Sequence, residues 1–229
     1  MRWNLQGYTN YQVFLNHPFD EEFAGLADAM NFAVVAGGLL PVSAHDLTSS
    51  DRPRLEMLVE AIRCCRYSAH DFSRCKGGSP HNFARMNMPI EMGMALFHAL
   101  YSQRREHRCV FFVSTENDYK TFASDLAGLD PRVHSGDSGR ILIEMYEWLR
   151  SVVPALSFNS QPASDILERF GRFQAMKSKI KGGGKAGRPS HEETRELMYQ
   201  LCAEWGWWDW RGTRMGKDEF PPVPLAFLK

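Results

Sequence analysis

The sequence carries no excess of charge: 27 basic residues are matched by 27 acidic ones. A whole-molecule field drawing the chain to nucleic acid or a membrane surface is therefore excluded, and any charged site must be local. There is no CxxC pair, and the five cysteines are odd in number, with Cys64 adjacent to Cys65. That pattern argues against a disulfide framework or a thiolate metal knuckle and points to a reducing, cytoplasmic setting. Long apolar runs are also missing. The longest, residues 32–42, is interrupted by Gly37, Gly38 and Pro41 and falls well short of the ~20 residues of a membrane helix. The first residues show no basic-then-apolar leader. None of the eight histidines stands at ligand spacing with cysteine or acids, so no metal or other cofactor is expected.

What is present is an alternation of short apolar runs and amphipathic stretches. Residues 11–16 read as a buried strand closed by His17-Pro18. Asp20 and Glu21 open a helix with Phe23, Leu26, Ala27, Met30 and Val34 on one face, stopped by Gly37-Gly38. Residues 39–44 are a second strand, Leu55, Leu58, Val59 and Ile62 mark a second helix, and residues 67–72 a third strand ending near Asp71. Pro89 begins a third helix; residues 109–113 and 132–134 are further strands; Ile141, Leu142, Met145, Trp148 and Leu149 define a fourth helix. Such alternation predicts an α/β fold, a parallel sheet covered on both faces. Ligands of such sheets bind at the carboxyl ends of the strands, which directs attention to residues 16–20, 71–85 and 114–118.

After Pro154 the alternation stops. The expected division is an α/β domain over residues 1–153 and a mostly helical appendage over 154–229, with a basic, glycine-rich loop at 177–188. Ser190-His-Glu-Glu193 is a capping box opening a helix with Leu197, Met198, Leu201, Cys202 and Trp205 as its apolar stripe. Trp205, Trp207, Trp208 and Trp210 read as completing a core. The basic loop reads as solvated, and nucleic acid is not an expected partner.

Two stretches carry a family resemblance. One is Val13-Phe-Leu-Asn-His-Pro-Phe-Asp20; the other is His70-Asp-Phe-Ser73 followed by Asn87-Met-Pro-Ile-Glu-Met-Gly-Met-Ala95. Together they resemble the nucleoside 2-deoxyribosyltransferase-like and bacterial TIR-like families, in which a first strand runs into Pro and an aromatic, a later strand ends in Asp, and a helix carries Glu before a small residue, Gly and Ala. The resemblance covers roughly residues 11–153. It implies a flavodoxin-like fold, a nucleotide as small-molecule partner, and completion of the site by self-association as a homodimer or higher oligomer.

The chemistry it implies is cleavage of an N-glycosidic bond, with NAD the leading substrate and a defence role following from the resemblance alone. Such cleavage builds positive charge on the ribose, which a carboxylate stabilises or captures at C1′. The resemblance assigns that carboxylate to Glu91, kept ionised by the helix N-terminus. It assigns sugar or base binding to Asp71, and the lips of the nucleotide site to Asn16, Pro18, Phe19 and Asn87. Deoxyribosyltransferases place a second acid just before the glutamate, and residues 83–90 hold none, so the resemblance implies hydrolysis rather than transfer between bases. Structural readings stand beside these. Glu91 at the third position of a helix begun by Pro89 is a capping residue, and Asp71 is a strand-end residue that closes a turn. A non-catalytic nucleotide-binding module is the alternative that both readings together imply.

Overall fold

The computed structural model describes residues 9–47, 51–75, 86–101, 106–121, 123–126, 128–154, 161–180, 182 and 187–207. His81, most of the loop after Asp71, residues 181 and 183–186 of the basic loop, Trp208, Trp210 and the proline-rich tail lie outside them.

Five strands, β1 (Thr9–Asn16), β2 (Leu40–Ser43), β3 (Cys65–Asp71), β4 (Arg108–Val113) and β5 (Arg132–Val133), form one sheet in the order β2-β1-β3-β4-β5. Every pairing is parallel, with Phe14 opposite Val42 and Ser68, and His70 opposite Phe111. This is the expected α/β, flavodoxin-like arrangement. Helices α1 (Ala24–Ala36) and α4 (Ser138–Val152) pack with each other on one face. On the other, α2 (Arg54–Cys64) packs beside α3 (Asn87–Tyr101). The strands bury both faces, as their apolar composition requires.

Two helix starts differ from the sequence pattern. Asp20 caps a single 3₁₀ turn, accepting the Phe23 N–H at 3.0 Å, and α1 proper begins at Ala24. The third helix begins at Asn87, two residues before Pro89. Proline is tolerated there because all N–H groups of the first turn lack an intrahelical partner. The stop at Gly37-Gly38 follows the sequence: Gly38 adopts φ +79°, and the Gly38 and Leu39 N–H groups return to the carbonyls of Val35 and Val34 at 2.9 and 3.0 Å. Those two bonds make a Schellman motif.

Helix α1 was expected to bury one face. It is buried all round from Ala29 to Ala36, because α5 (Ala163–Lys177) and α6 (His191–Glu204) contribute to the same core. Phe32 meets the rings of Phe170 and Phe173 at 5.3 and 5.5 Å and Trp205 at 6.3 Å. Arg169 lies over Trp205 and Trp207, 5.1 and 4.3 Å from their centroids. The capping box forms as expected, Ser190 and Glu193 each receiving the other's backbone N–H.

Charge pairs also fasten this segment. Lys177 reaches Asp28 at 2.6 Å and Arg188 pairs with Glu21, so the basic stretch is tied at both ends. Arg195, 5% exposed, grips Asp46 with both terminal nitrogens and donates to the Pro41 carbonyl at 3.0 Å. Most apolar side chains of α5 and α6 are buried within the chain, while Leu167 and Met176 of α5 are exposed. Six further large apolar side chains are exposed on α2 and α3: Leu55, Val59, Ile90, Phe97, Leu100 and Tyr101. Among the described residues no helix is long and apolar enough to cross a membrane.

Candidate functional site

The chain leaves β1 for β2 on one side and returns past it to β3 on the other, so the carboxyl ends of β1 and β3 flank the point where strand order reverses. At this edge stand Asn16 and His17 from β1, the Ser43–Asp46 turn after β2, Asp71 from β3, the first turn of α3, and His134 after β5.

Asn16 heads a buried hydrogen-bond chain whose direction can be worked out from its far end. The Cys65 carbonyl only accepts, so the proton of His107 sits on Nδ1, 2.9 Å away. His107 Nε2 then accepts from the Ser68 hydroxyl (2.9 Å), and Ser68 accepts from His70 Nε2 (2.9 Å). His70 Nδ1 accepts from the Asn16 amide at 2.9 Å, and the second amide hydrogen goes to the Met88 carbonyl at 2.9 Å. Burial lowers His70 to about 3 and His107 to about 4, so both imidazoles are neutral and the chain is consistent. It pins the first turn of α3 to the end of β1.

Asp71 is wholly buried. Its Oδ1 accepts the Ser73 N–H at 2.9 Å, the turn-closing role. Its Oδ2 lies 3.0 Å from His134 Nε2 without an aligned hydrogen bond, while Ser73 Oγ is 2.7 Å from the same nitrogen. The trio of Ser73, His134 and Asp71 is not a nucleophilic triad. In a triad, hydroxyl and carboxylate take opposite ring nitrogens. Here the Gly136 N–H donates to Nδ1 at 3.0 Å, leaving the proton on the nitrogen that faces Ser73, where a base would be needed.

Glu91 is the fifth residue of α3 and makes no hydrogen bond or ion pair among the described residues, so it does not cap the helix. It is 7% exposed, and burial lifts its carboxyl from 4.5 to about 7, against the opposing pull of Arg54. Arg54 is itself held by the Ala44 carbonyl at 3.1 Å. Burial at the fifth position opposes the ionised form that the resemblance implies, and near neutral pH both forms of Glu91 are present. Asn87 is exposed on the preceding turn. No hydrogen bond, ion pair or ring contact joins Glu91 to Asp71 among the described residues.

Pro18 and Phe19 line a separate cavity of about 170 Å³ between the β1 and β2 ends and the α5–α6 segment. His17, Asp28, His45, Lys177 and His191 share its wall. Phe19 packs on His45 (3.9 Å between centroids), and His45 stacks on His191 (5.1 Å). The His17 ring stacks on Phe23 (5.8 Å) and donates from Nδ1 to the Pro18 carbonyl at 2.9 Å. Burial depresses all three histidines, His191 to about 3. These histidines were invisible as a group in the sequence. They lie on three distant segments, and no local spacing links positions 17, 45 and 191.

No protein-family model matches the chain, and no curated protein matches it. Among solved structures, the TIR domains of the activated Roq1 resistosome directly recognizing the pathogen effector XopQ are similar at a TM-score of 0.37 and 14% identity. That match covers 71% of this chain and 98% of the other. Likeness at this level establishes neither family nor activity. A nucleoside deoxyribosyltransferase relationship has no counterpart in these comparisons, and the parallel flavodoxin-like sheet rests on this chain's own strand pairing.

Proposed function

We propose that the chain binds a nucleotide at the β1/β3 edge and hydrolyses its N-glycosidic bond, with Glu91 as the acting carboxyl. One observation carries this reading: Glu91 is a buried carboxyl with no partner among the described residues, lifted to about 7, on the helix whose first turn is hydrogen-bonded to Asn16. Folded chains rarely keep such a group for structural reasons, and perturbed carboxyls gather at functional sites. Near neutral pH the carboxylate would stabilise positive charge growing on the ribose as the C1′–N bond breaks and its electrons leave with the base. The same carboxylate would take the proton from the water that adds to C1′. A base that departs as a neutral ring needs no proton from the protein. NAD, whose pyridinium leaves in that way, is therefore the leading substrate.

In this reading Asp71 acts from behind the site, holding the Ser73 turn and His134, and Asn16 fixes the position of α3. The test is incubation of purified protein with NAD, NADP and deoxynucleosides, following the released base by chromatography. Glu91→Gln should lower the rate roughly a hundred- to several-thousand-fold while remaining folded by thermal melt. Equal release by both proteins refutes the role of Glu91. The internal engagement of Asn16 and Asp71 favours a second reading, a binding module. Under that reading a nucleotide binds and stays intact over hours, and Glu91→Gln leaves its affinity unchanged.

A further inference from the structure

One side of α3 is large, apolar and exposed along its whole length. Met86, in the turn before the helix, and Ile90, Phe97, Leu100 and Tyr101 within it face outwards, Phe97 exposed by 67% and Tyr101 by 73%. Met88, Met92 and Ala95 are buried on the other side. Positions 86, 90, 93, 97 and 100 advance in alternate steps of four and three residues. Such spacing is the seam along which two α-helices pack together. A solvated helix face carries charged and polar groups, and this one carries no charge. The single acidic or basic residue of α3 is Glu91, which is buried and off the seam.

Gly93 stands at the centre of that seam. It is exposed, and a Cβ added there would meet nothing within 4 Å among the described residues. Glycine inside an exposed helix is destabilising relative to alanine, and no close contact among the described residues accounts for it. Close approach by a backbone from outside the chain does.

The matching occupant is an uncharged, apolar helix. An interfacial membrane helix is rich in Lys and Arg, and nucleic acid calls for the same cations; α3 has neither residue. On the neighbouring α2, Leu55 and Val59 add exposed apolar surface, and Arg52 is already paired with Glu56 and Glu60. A second copy of this chain supplies the match, because the seam runs seven residues to either side of Gly93. Turned antiparallel across a twofold axis, Met86 faces the partner's Leu100, Ile90 the partner's Phe97, and Gly93 the partner's Gly93. Area allows it as well. At roughly 150–250 Å² for a whole aromatic side chain, the exposed parts of Phe97 and Tyr101 alone come to roughly 300 Å². With Met86, Ile90 and Leu100 the seam offers roughly 600 Å², most of the ~800 Å² that each partner gives to a standard interface.

We propose that two copies of this chain associate through α3, the helices packed antiparallel across a twofold axis at Gly93. Glu91 lies off this seam, and the interface stands whether or not that residue is catalytic.

Light scattering over a concentration series of the full chain tests it. The wild type should be a dimer at tens of micromolar. Phe97→Lys sets a charge on the seam at an exposed position, and should raise the dissociation constant about thirtyfold or more, the loss of one interface hot spot. Gly93→Leu separates close packing from mere stickiness. It adds apolar surface, which would tighten a nonspecific contact, yet it blocks the approach of two helices and should weaken the dimer by a similar factor. Thermal melts of dilute protein verify that both variants fold; if Phe97→Lys does not, Leu100→Lys makes the same comparison. Three results overturn the proposal. A wild type that stays monomeric throughout leaves the seam to another protein or to residues 208–229 of its own chain. A dimer that survives Phe97→Lys unchanged uses a different face. A dimer that Gly93→Leu tightens has no close helix crossing at that position.

Discussion

Replacing Glu91 by Gln should stabilise the fold, and the effect should depend on pH in a way no capping residue reproduces. The folded carboxyl titrates at about 7 against an ordinary 4.5, because burial penalises the anion. A group whose folded pKa is raised contributes stability that is fully present below its unfolded pKa and lost as pH rises through the folded one. At ~1.4 kcal/mol per pH unit, the gap corresponds to roughly 3 kcal/mol of anion-burial cost carried by the wild type at about pH 8. Glu91→Gln removes that cost. It should gain roughly 3 kcal/mol near pH 8, about 6–12 °C in melting temperature for a chain of this size, and only about 1 kcal/mol or less near pH 5. Urea denaturation of both proteins at the two pH values measures it directly. A variant that is less stable than wild type at both, or a gain that does not change with pH, would sink the claim that Glu91 is a buried, unpartnered carboxyl. A more stable variant that has lost activity is the signature of a residue retained for chemistry.

Other expectations follow from contacts described above. Arg195→Met should destabilise by about 3–5 kcal/mol, because it strands Asp46 in a buried setting, and limited proteolysis should then cleave the α6 segment first. His70→Phe should lower stability by about 2 kcal/mol or more, because one Asn16 amide hydrogen loses its acceptor and the Ser68 oxygen loses its donor, with a readout in urea midpoint. Burial holds His17, His45, His70, His107 and His191 below their ordinary 6.5. Their folded values are depressed, so their contribution is full above 6.5 and lost as pH falls from there towards 3–4. A melting temperature that stays constant between pH 7 and pH 4 contradicts that burial. Phe32→Ala should cost about 3–5 kcal/mol and loosen α5 and α6 together, seen as loss of tryptophan fluorescence shift.

The sheet could be read in advance because each strand is a short apolar run and each crossover carries helical periodicity. Gly37-Gly38 and the Ser190 capping box gave their turns without ambiguity, since both act through local backbone bonds. The start of α3 was misplaced by two residues because proline looks like a first helical position, yet any place in the first turn satisfies it. That small slip made Glu91 read as a cap. The all-round burial of α1 was hidden for a different reason: its outer face is covered by residues more than 130 positions later in the chain. The histidine cavity was illegible for the same reason. Each of its imidazoles has an ordinary neighbourhood in sequence, and only the docking of α6 makes them a group.

The hydrogen-bond chain through β3 also gives the site a fixed polarity. A run of hydroxyls and imidazoles can usually reverse, each member exchanging donor for acceptor. This one is anchored at a carbonyl of Cys65 and ends on a carbonyl of Met88, and neither can ever donate. Asn16 is therefore obliged to present its NH₂ inward, towards His70 and Met88, leaving its carbonyl oxygen as the side-chain atom with no partner among the described residues. An ionised aspartate at position 16, equal in size, would set one acceptor oxygen against the two acceptors that the NH₂ now serves. It would break the tie between β1 and α3 that a single amide makes.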